Sequence, residues 1–581
     1  MKYIHVSEAN CKNCYKCLKV CPVKSIRYSD NHVEVLDEAC VLCGRCIRNC
    51  PQKAKSLIND LSPVKALLAD TSKIKAAALA PSYLASFGIE NRLKVSAALR
   101  KLGFDHVEET AAGAHEVSRE YARILQSGTM DVMISTCCST TVFLVQKYFP
   151  DLTKYLAPVL SPMETHGLMM KRALGENARV VFFGPCISKI EEARTEPGRH
   201  VDHVVTFKQL SQWLQEAHIN LGELQDAPLD NTPTASSIYP VFEGVTDDVK
   251  RMLPEDSPIL DHYDFISVQG TKDLIEMLQE LQNGRIHHCF IEASACYGSC
   301  INGPEKGDEG YRPVSLNLET RRFVQKLKHA QEPLTSKLDL TRVIAPQPLH
   351  EEIPDEATIR SILAQIGKTS PEQELNCGSC GYRTCRDKAI AVYQKKAELY
   401  MCMPYMSTIS ETLSNVTLSL SPNYNIAVDR GLIIRECNLA AQQLFRHTRK
   451  QLIGQKLQDW LPPSEFARAI ANKENQPSRK VRYDDLGIIV NQTIVYNADQ
   501  DIAVGFLQDI TKAEREAEAL NRMKLDTMEM AQNVINKQMT VAQEIASLLG
   551  ETTAETKVTL TKLKDLIIYE GQEKENEQSL H

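Results

Sequence analysis

Residues 290–300 read FIEASACYGSC. An apolar run ends in Glu292, a small polar residue follows at Ser294, and thiols stand at Cys296 and Cys300. The spacing is not the C-x2-C of a zinc ribbon, so these two thiols call for partners elsewhere in the chain. The candidates are ISTCCSTT, with Cys137 and Cys138, and VVFFGPCISK, with Pro185, Cys186 and Lys189. The stretches KIKAAALAPS and ARVVFFGPC read as buried strands and RLKVSAALRKLGF as an amphipathic helix, which makes residues 65–348 a mixed α/β region.

Working outward, the chain has 581 residues, a length that suggests about three to five domains. Its 43% hydrophobic content supports sizeable cores, and its net charge of −7 argues against nucleic acid as a partner. The N-terminus MKYIHVSEANCK has no apolar signal core, and no run of about 18 uncharged apolar residues could span a bilayer. A cytoplasmic chain without a membrane partner is expected. Nineteen cysteines in a reducing compartment point to metal or redox chemistry rather than disulfides.

Most of those thiols fall into patterned groups. CKNCYKCLKVCP and CVLCGRCIRNCP repeat one C-x2-C-x2-C-x3-C-P run within residues 1–57, the run of bacterial two-cluster ferredoxins. In that motif the fourth cysteine of each run ligates the other cluster. The expected sets are therefore Cys11, Cys14, Cys17 and Cys50, and Cys40, Cys43, Cys46 and Cys21. Residues 350–406 read as helical around Cys377, Cys380, Cys385 and Cys402. Their C-x2-C-x4-C-x16-C spacing resembles the small iron–sulfur domain of corrinoid iron–sulfur proteins and some modular hydrogenases. Four thiolates alone do not separate zinc from iron–sulfur, and the eight ferredoxin cysteines tilt the balance to iron–sulfur. Cys289 and Cys437 read as inert buried thiols.

The motifs around Cys137, Cys186 and Cys296, in this order behind a ferredoxin module, resemble the three signature motifs of the iron-only (FeFe) hydrogenases. The likeness extends to KLGFDHVEET and YFPDLTKYLAPVLSPMETHG and covers roughly residues 75–310. It implies that Cys138, Cys186, Cys296 and Cys300 hold a 4Fe–4S cluster. Cys300 would also bridge to a di-iron unit carrying CO, cyanide and an azadithiolate, the two together forming the H-cluster. Lys189 would hydrogen-bond a cyanide, Pro185 would pack beside it, and Cys137 would carry protons. The implied reaction is H2 ⇌ 2H+ + 2e−, with three further 4Fe–4S clusters as relays.

Three departures from the family follow. Ser294 replaces a methionine that packs by the bridging CO, Ser139 replaces a proline, and Tyr121 and Ile124 stand where two proton-path glutamates are expected. Isoleucine cannot relay a proton, so slow turnover or another relay through Glu292, Glu120 or Glu116 is expected.

Residues 408–510 resemble a PAS domain, on Asn438, Ala440, Ala441, Leu444, Phe445, Leu452, Ile453 and Gly454. His447 reads as an exposed helix-end residue rather than a haem ligand. Residues 511–581 read as a helical signalling and dimerisation tail. Apolar or small residues recur at Ile510, Ala513, Ala517, Leu520, Ala531, Val534, Val541, Ile545 and Leu548, with Gln538 as a polar register residue, as in a coiled coil.

The fold expected is multidomain α+β and α/β. In order it runs through a ferredoxin-like module, a hydrogenase domain, a small helical 4Fe–4S domain, a PAS domain and a coiled-coil tail. No kinase, cyclase or DNA-binding motif follows, an arrangement that resembles the sensory FeFe hydrogenases. The expected function is a slow H2-reactive centre that senses H2 or redox state. Its partners would be H2 and protons, an electron carrier such as ferredoxin, a separate kinase or phosphatase, and a second copy joined through the tail. A metabolic ferredoxin-linked hydrogenase and a non-catalytic 4Fe–4S redox protein without the di-iron unit are the alternatives.

Overall fold

The two N-terminal cysteine runs fold as one backbone motif used twice. In the computed structural model Asn13, Tyr15 and Lys24 have positive φ, and so do Leu42, Gly44 and Lys53, each 29 residues further on. Each run therefore turns through the same left-handed positions, and each leads into a short helix, Lys16–Val20 or Arg45–Arg48, that carries Cys17 or Cys46. Strands β1 (Ile4–Val6) and β4 (Lys55–Leu57) pair antiparallel, as do β2 (Ile26–Ser29) and β3 (His32–Val35). The structure describes residues 3–549 except 60, 196–198, 308–311, 328–337, 410–419 and 499, together with 558–559 and 561–562.

The α/β region is built from two parallel sheets. One has the order β6-β5-β8-β9: β5 Ile74–Leu79, β6 His106–Glu109, β8 Ala178–Gly184 and β9 His203–Thr206. The other has the order β10-β11-β7: β7 Val132–Ile134, β10 Asp264–Gln269 and β11 Cys289–Ser294. The central strands β5, β8 and β11 carry buried apolar runs at 76–79, 180–183 and 289–291, as a sheet covered on both faces requires. Ligand-bearing residues in such sheets sit beyond the carboxyl ends of strands. Here β7 leads to Cys137 and Cys138, β8 to Cys186, and β11 to Cys296.

The third cysteine group lies around the helices Glu356–Gln365 and Cys385–Tyr393. It packs on the ferredoxin module. Lys24 Nζ donates to Leu18 O at 2.9 Å and to Gly381 O at 2.8 Å, and Tyr28 N donates to Lys396 O at 2.9 Å. Gly381 adopts φ 93°, and a Cβ there would lie 2.8 Å from the Cβ of Leu18, so the close approach requires glycine.

The chain divides into two units, residues 1–406 and 407–581. The second carries a five-stranded antiparallel sheet of order β13-β12-β16-β15-β14. Its strands are β12 Tyr424–Asp429, β13 Ile434–Cys437, β14 Gln476–Tyr483, β15 Ile488–Asn497 and β16 Ile502–Asp509. Asn438 caps the helix Leu439–Phe445 by accepting from Ala441 N at 3.0 Å, which explains its place in the motif. Cys437 is buried in this core, and exposed His447 meets Trp460 edge-on, with ring centroids 4.7 Å apart. The helix Thr511–Leu549 follows, with Leu520, Val534, Val541 and Ile545 exposed. The Leu548 side chain, and most of the expected tail beyond 549, lie outside the described residues. Among the described residues no helix is long and apolar enough to cross a membrane.

Candidate functional site

The carboxyl ends of the two parallel sheets open on one cavity of about 110 Å³. Cys138, Cys186, Cys296 and Cys300 line it, and so do Cys137, Pro185, Lys189, Glu292 and Ser294. Residues from three distant sequence motifs thus share one wall system. Cys138 is the N-cap of the helix Ser139–Tyr148, and the helix Ser188–Thr195 starts two residues after Cys186, so two helix N-termini point their positive ends toward the thiols. Cys300 follows Ser299, a non-glycine residue at φ 58° and ψ −155°, a strained conformation that sequence reading could not foresee.

Burial raises the pKa of Cys186, Cys296 and Cys300, and the charges of neighbouring thiols raise it further. Four mutually repelling thiolates are tolerable where a cationic centre shares them, so the donor set fits an iron–sulfur cluster. The hydroxyls of Ser82 and Ser299 also line the cavity, are buried, and have no hydrogen-bond partner among the described residues. They fit a bound group that presents acceptors.

Lys189 is held by a buried carboxylate. Its Nζ donates to Glu192 Oε2 at 2.5 Å; Ser139 Oγ donates to the same oxygen at 2.7 Å, and Arg342 lies 3.4 Å from Oε1. Burial opposes the Lys189 ammonium, but the Glu192 carboxylate outweighs it and holds the lysine above its usual range. Burial likewise opposes the Glu192 charge, and Lys189 and Arg342 outweigh it, so Glu192 stays below the usual carboxylate range. Ser139, which the sequence marked only as a departure from proline, is thus part of the network that fixes Lys189.

Cys137 is pushed up to about 12 by burial, so it is a neutral thiol at physiological pH. The Tyr121 hydroxyl is 3.4 Å from its Sγ. Glu292 is pushed up to about 7 by burial and accepts from Thr246 N at 2.8 Å. The other two candidate relays lie away from the cavity. Glu116 pairs with Arg119, and Glu120 with Arg123 at the surface. Ile124 is buried in an apolar cluster. The Ser294 carbonyl accepts from Gly270 N at 2.8 Å while the residue lines the cavity.

Two of the three other thiol sets each line a pocket. Cys21, Cys40, Cys43 and Cys46 line one pocket, and burial together with the Cys21 charge pushes Cys43 up to about 12. Cys377, Cys380, Cys385 and Cys402 line another. Cys11 lies close enough to Cys17 for its charge to raise that thiol, after burial; Cys14 is exposed, and Cys50 Sγ accepts from Ala54 N at 3.3 Å. Cys289 donates to His287 O at 2.9 Å, away from every set. The Cys40–Cys46 loop packs directly on the cavity rim. Arg48 donates to Asn302 O at 2.7 Å, Arg45 to Thr271 Oγ1 at 2.6 Å, and a Cβ on Gly44 would collide with Pro304.

Residues 73–304 match the family described as iron only hydrogenase large subunit, C-terminal domain. The chain carries an iron-only hydrogenase domain. Ahead of this domain, residues 3–51 match a 4Fe-4S dicluster domain; after it, 373–404 match an Fe-S cluster family and 418–475 the PAS fold. Iron–sulfur clusters are therefore cofactors of the chain. Iron hydrogenase 1 of Clostridium pasteurianum is 25% identical over 279 residues, 39% of this chain and 49% of that one. The NADP-reducing hydrogenase subunit HndD of Solidesulfovibrio fructosivorans is 27% identical over 370 residues, 55% of this chain and 59% of that one. The cytosolic Fe-S cluster assembly factor NAR1 of Yarrowia lipolytica is 28% identical over 167 residues, 25% of this chain and 34% of that one. The chain spans about half the length of the first two relatives.

Proposed function

We propose that the chain is a hydrogenase-type H2 and redox sensor. One observation carries the reading: Cys138, Cys186, Cys296 and Cys300 line a single cavity together with the Cys137 thiol and the Lys189 ammonium. The four cysteines would hold a 4Fe–4S cluster, and Cys300 would bridge it to a di-iron unit bearing CO, cyanide and azadithiolate. When bound, that cluster supplies the redox chemistry of H2 ⇌ 2H+ + 2e−. The remaining side chains have clear tasks. Lys189, kept charged by Glu192, offers a donor to an anionic ligand. Cys137, kept neutral by burial, holds a transferable proton at the cavity wall. Ser294, smaller than a methionine, leaves a polar group at the wall and alters hydrogen bonding there.

The cysteine sets lie in a packed series that suits electron transfer. The Cys40–Cys46 loop abuts the cavity rim, and the Cys377–Cys402 domain rests on the ferredoxin module. Cys402 is followed five residues later by the start of the PAS-bearing unit. A redox change in the third set is thus covalently close to a sensor domain. The exposed apolar residues of the 39-residue helix Thr511–Leu549 favour a homodimer seam, with signalling to a separate kinase or phosphatase.

The test is infrared spectroscopy of the full chain after iron–sulfur reconstitution and loading with a synthetic di-iron unit. CO and cyanide bands that shift under H2 are expected. Bands together with fast turnover, and no H2-dependent change in the tail's association, would sink the sensing part and leave a metabolic hydrogenase. The similarity to the cluster assembly factor favours a second reading, a 4Fe–4S protein without a di-iron unit. Absence of the bands would select it.

A further inference from the structure

The proposed reaction moves a proton between the cavity and solvent for every electron, and the two usual glutamate positions hold Tyr121 and Ile124. One tyrosine hydroxyl, of Tyr121, stands at Cys137 and a second tyrosine, Tyr239, lines the cavity, and their hydrogen bonds lead to different ends. Tyr121 OH accepts from Thr136 N at 2.8 Å and lies 3.0 Å from Thr136 Oγ1. Thr136 Oγ1 spends its only proton on Val159 O at 3.0 Å. That branch stops at a backbone carbonyl, which cannot pass a proton on.

The second branch does not stop there. Tyr239 lines the same cavity as Cys137. Tyr239 OH is 2.7 Å from Ser118 Oγ, and Ser118 Oγ donates to Asp248 Oδ2 at 2.6 Å. A serine hydroxyl has one proton, so Tyr239 is the donor to Ser118. Every hydroxyl on this branch therefore points away from the cavity toward a carboxylate. Ser236 Oγ also donates to Asp248 Oδ2, at 2.8 Å, and Arg251 binds Oδ1 at 2.8 Å with its own side chain 30% exposed. Ser118 sits three residues before Tyr121 on the helix Ala111–Ser127, one turn earlier on nearly the same face.

We propose that Tyr239, Ser118 and Asp248 form the proton path between the cavity and the surface at Arg251. The inference rests on the hydrogenase reading above. A proton arriving at the Tyr239 oxygen is matched by the tyrosine proton leaving for Ser118 Oγ and the serine proton leaving for Asp248 Oδ2. No electron moves, and the net result is one proton carried from the cavity to Asp248, from which a solvent water entering beside the partly exposed Arg251 takes it, the guanidinium being already protonated. Rotation of the two hydroxyls resets the chain. In the reverse direction the same three groups feed the cavity. Each link is within hydrogen-bond reach, as proton transfer requires.

The experiment uses the full chain with the variants Asp248→Asn, Asp248→Glu and Ser118→Ala. In protein carrying its 4Fe–4S clusters but no di-iron unit, the infrared S–H band that disappears in Cys137→Ala is followed after transfer to D2O. Exchange at least tenfold slower in Asp248→Asn and Ser118→Ala, restored in Asp248→Glu, is the expected result. In protein loaded with the di-iron unit, Asp248→Asn and Ser118→Ala should lose at least tenfold in turnover with CO and cyanide bands unchanged. Exchange at the unsubstituted rate in both blocking variants would overturn the path, as would a loss found in Glu292→Gln and not in Asp248→Asn. Missing CO and cyanide bands in the unsubstituted chain would overturn the hydrogenase reading instead, and the exchange rates would still decide the path.

Discussion

Glu192 and Asp248 are both fully buried carboxylates, and each is bonded by serine hydroxyls and by an arginine. Glu192 is enclosed with two cations that are themselves buried, Lys189 and Arg342. Asp248 has one, Arg251, which reaches solvent. The difference separates holding from exchanging. A carboxylate locked between buried cations keeps its charge and fixes a lysine; one joined to a hydroxyl chain and a partly exposed guanidinium is linked toward the surface. Glu109 extends the comparison. Among the described residues its carboxyl is bonded only by the Ser237 hydroxyl, at 2.5 Å, and burial pushes it up to about 7.

The comparison breaks most decisively at Glu192. Glu192→Ala strands Lys189 and Arg342 as buried cations and should cost about 3–5 kcal/mol, read as an unfolding free energy of the full chain. Asp248→Asn should cost under about 2 kcal/mol, because Arg251 can turn to water. Equal costs would erase the distinction. Glu109 predicts a pH effect of known sign. Its folded pKa lies above the ordinary carboxylate value, so its contribution is present at low pH and is lost as pH rises through about 7. A shift of this size is worth about 3 kcal/mol. Glu109→Gln should therefore be more stable than the unsubstituted chain at pH 8 and lose that advantage at pH 5, in paired thermal unfolding scans. A variant that is equally stabilised at both pH values would show that Glu109 is not neutralised by burial. The smallest effect is expected at Ser139. Proline suits the first helical position, where its missing N–H is already unpaired, so Ser139→Pro should keep the helix. It removes the hydroxyl from Glu192 and should cost about 1 kcal/mol. No change in the unfolding midpoint would assign Ser139 no part in holding Glu192.

The cluster motifs were legible in the chain because cubane ligation is a local pattern. One turn of backbone carries three thiols, and the repeat of Cys11–Pro22 at Cys40–Pro51 reappears as a repeat of left-handed residues. The strands KIKAAALAPS and ARVVFFGPC were legible as apolar runs, and Asn438 as a capping residue. Glu116 and Glu120 were reasonable relay candidates by residue type, but helical geometry gave them to Arg119 and Arg123, three residues on. On the helix Thr511–Leu549, Leu520, Val534, Val541 and Ile545 are exposed, which the heptad spacing alone did not specify.

The sequence by itself determined which thiols fall in iron–sulfur spacings, the order of the modules, and the residues at 139, 121, 124 and 294. Only the tertiary structure decided what surrounds those departures. Ser118 meets Tyr239 across 121 residues and Asp248 across 130, and Arg342 meets Glu192 across 150. Thiol spacing within a loop is set by bond lengths and dihedrals that neighbouring residues already encode. A buried hydrogen bond depends on which strands and helices pack together, and no local pattern of serines, tyrosines and carboxylates specifies that.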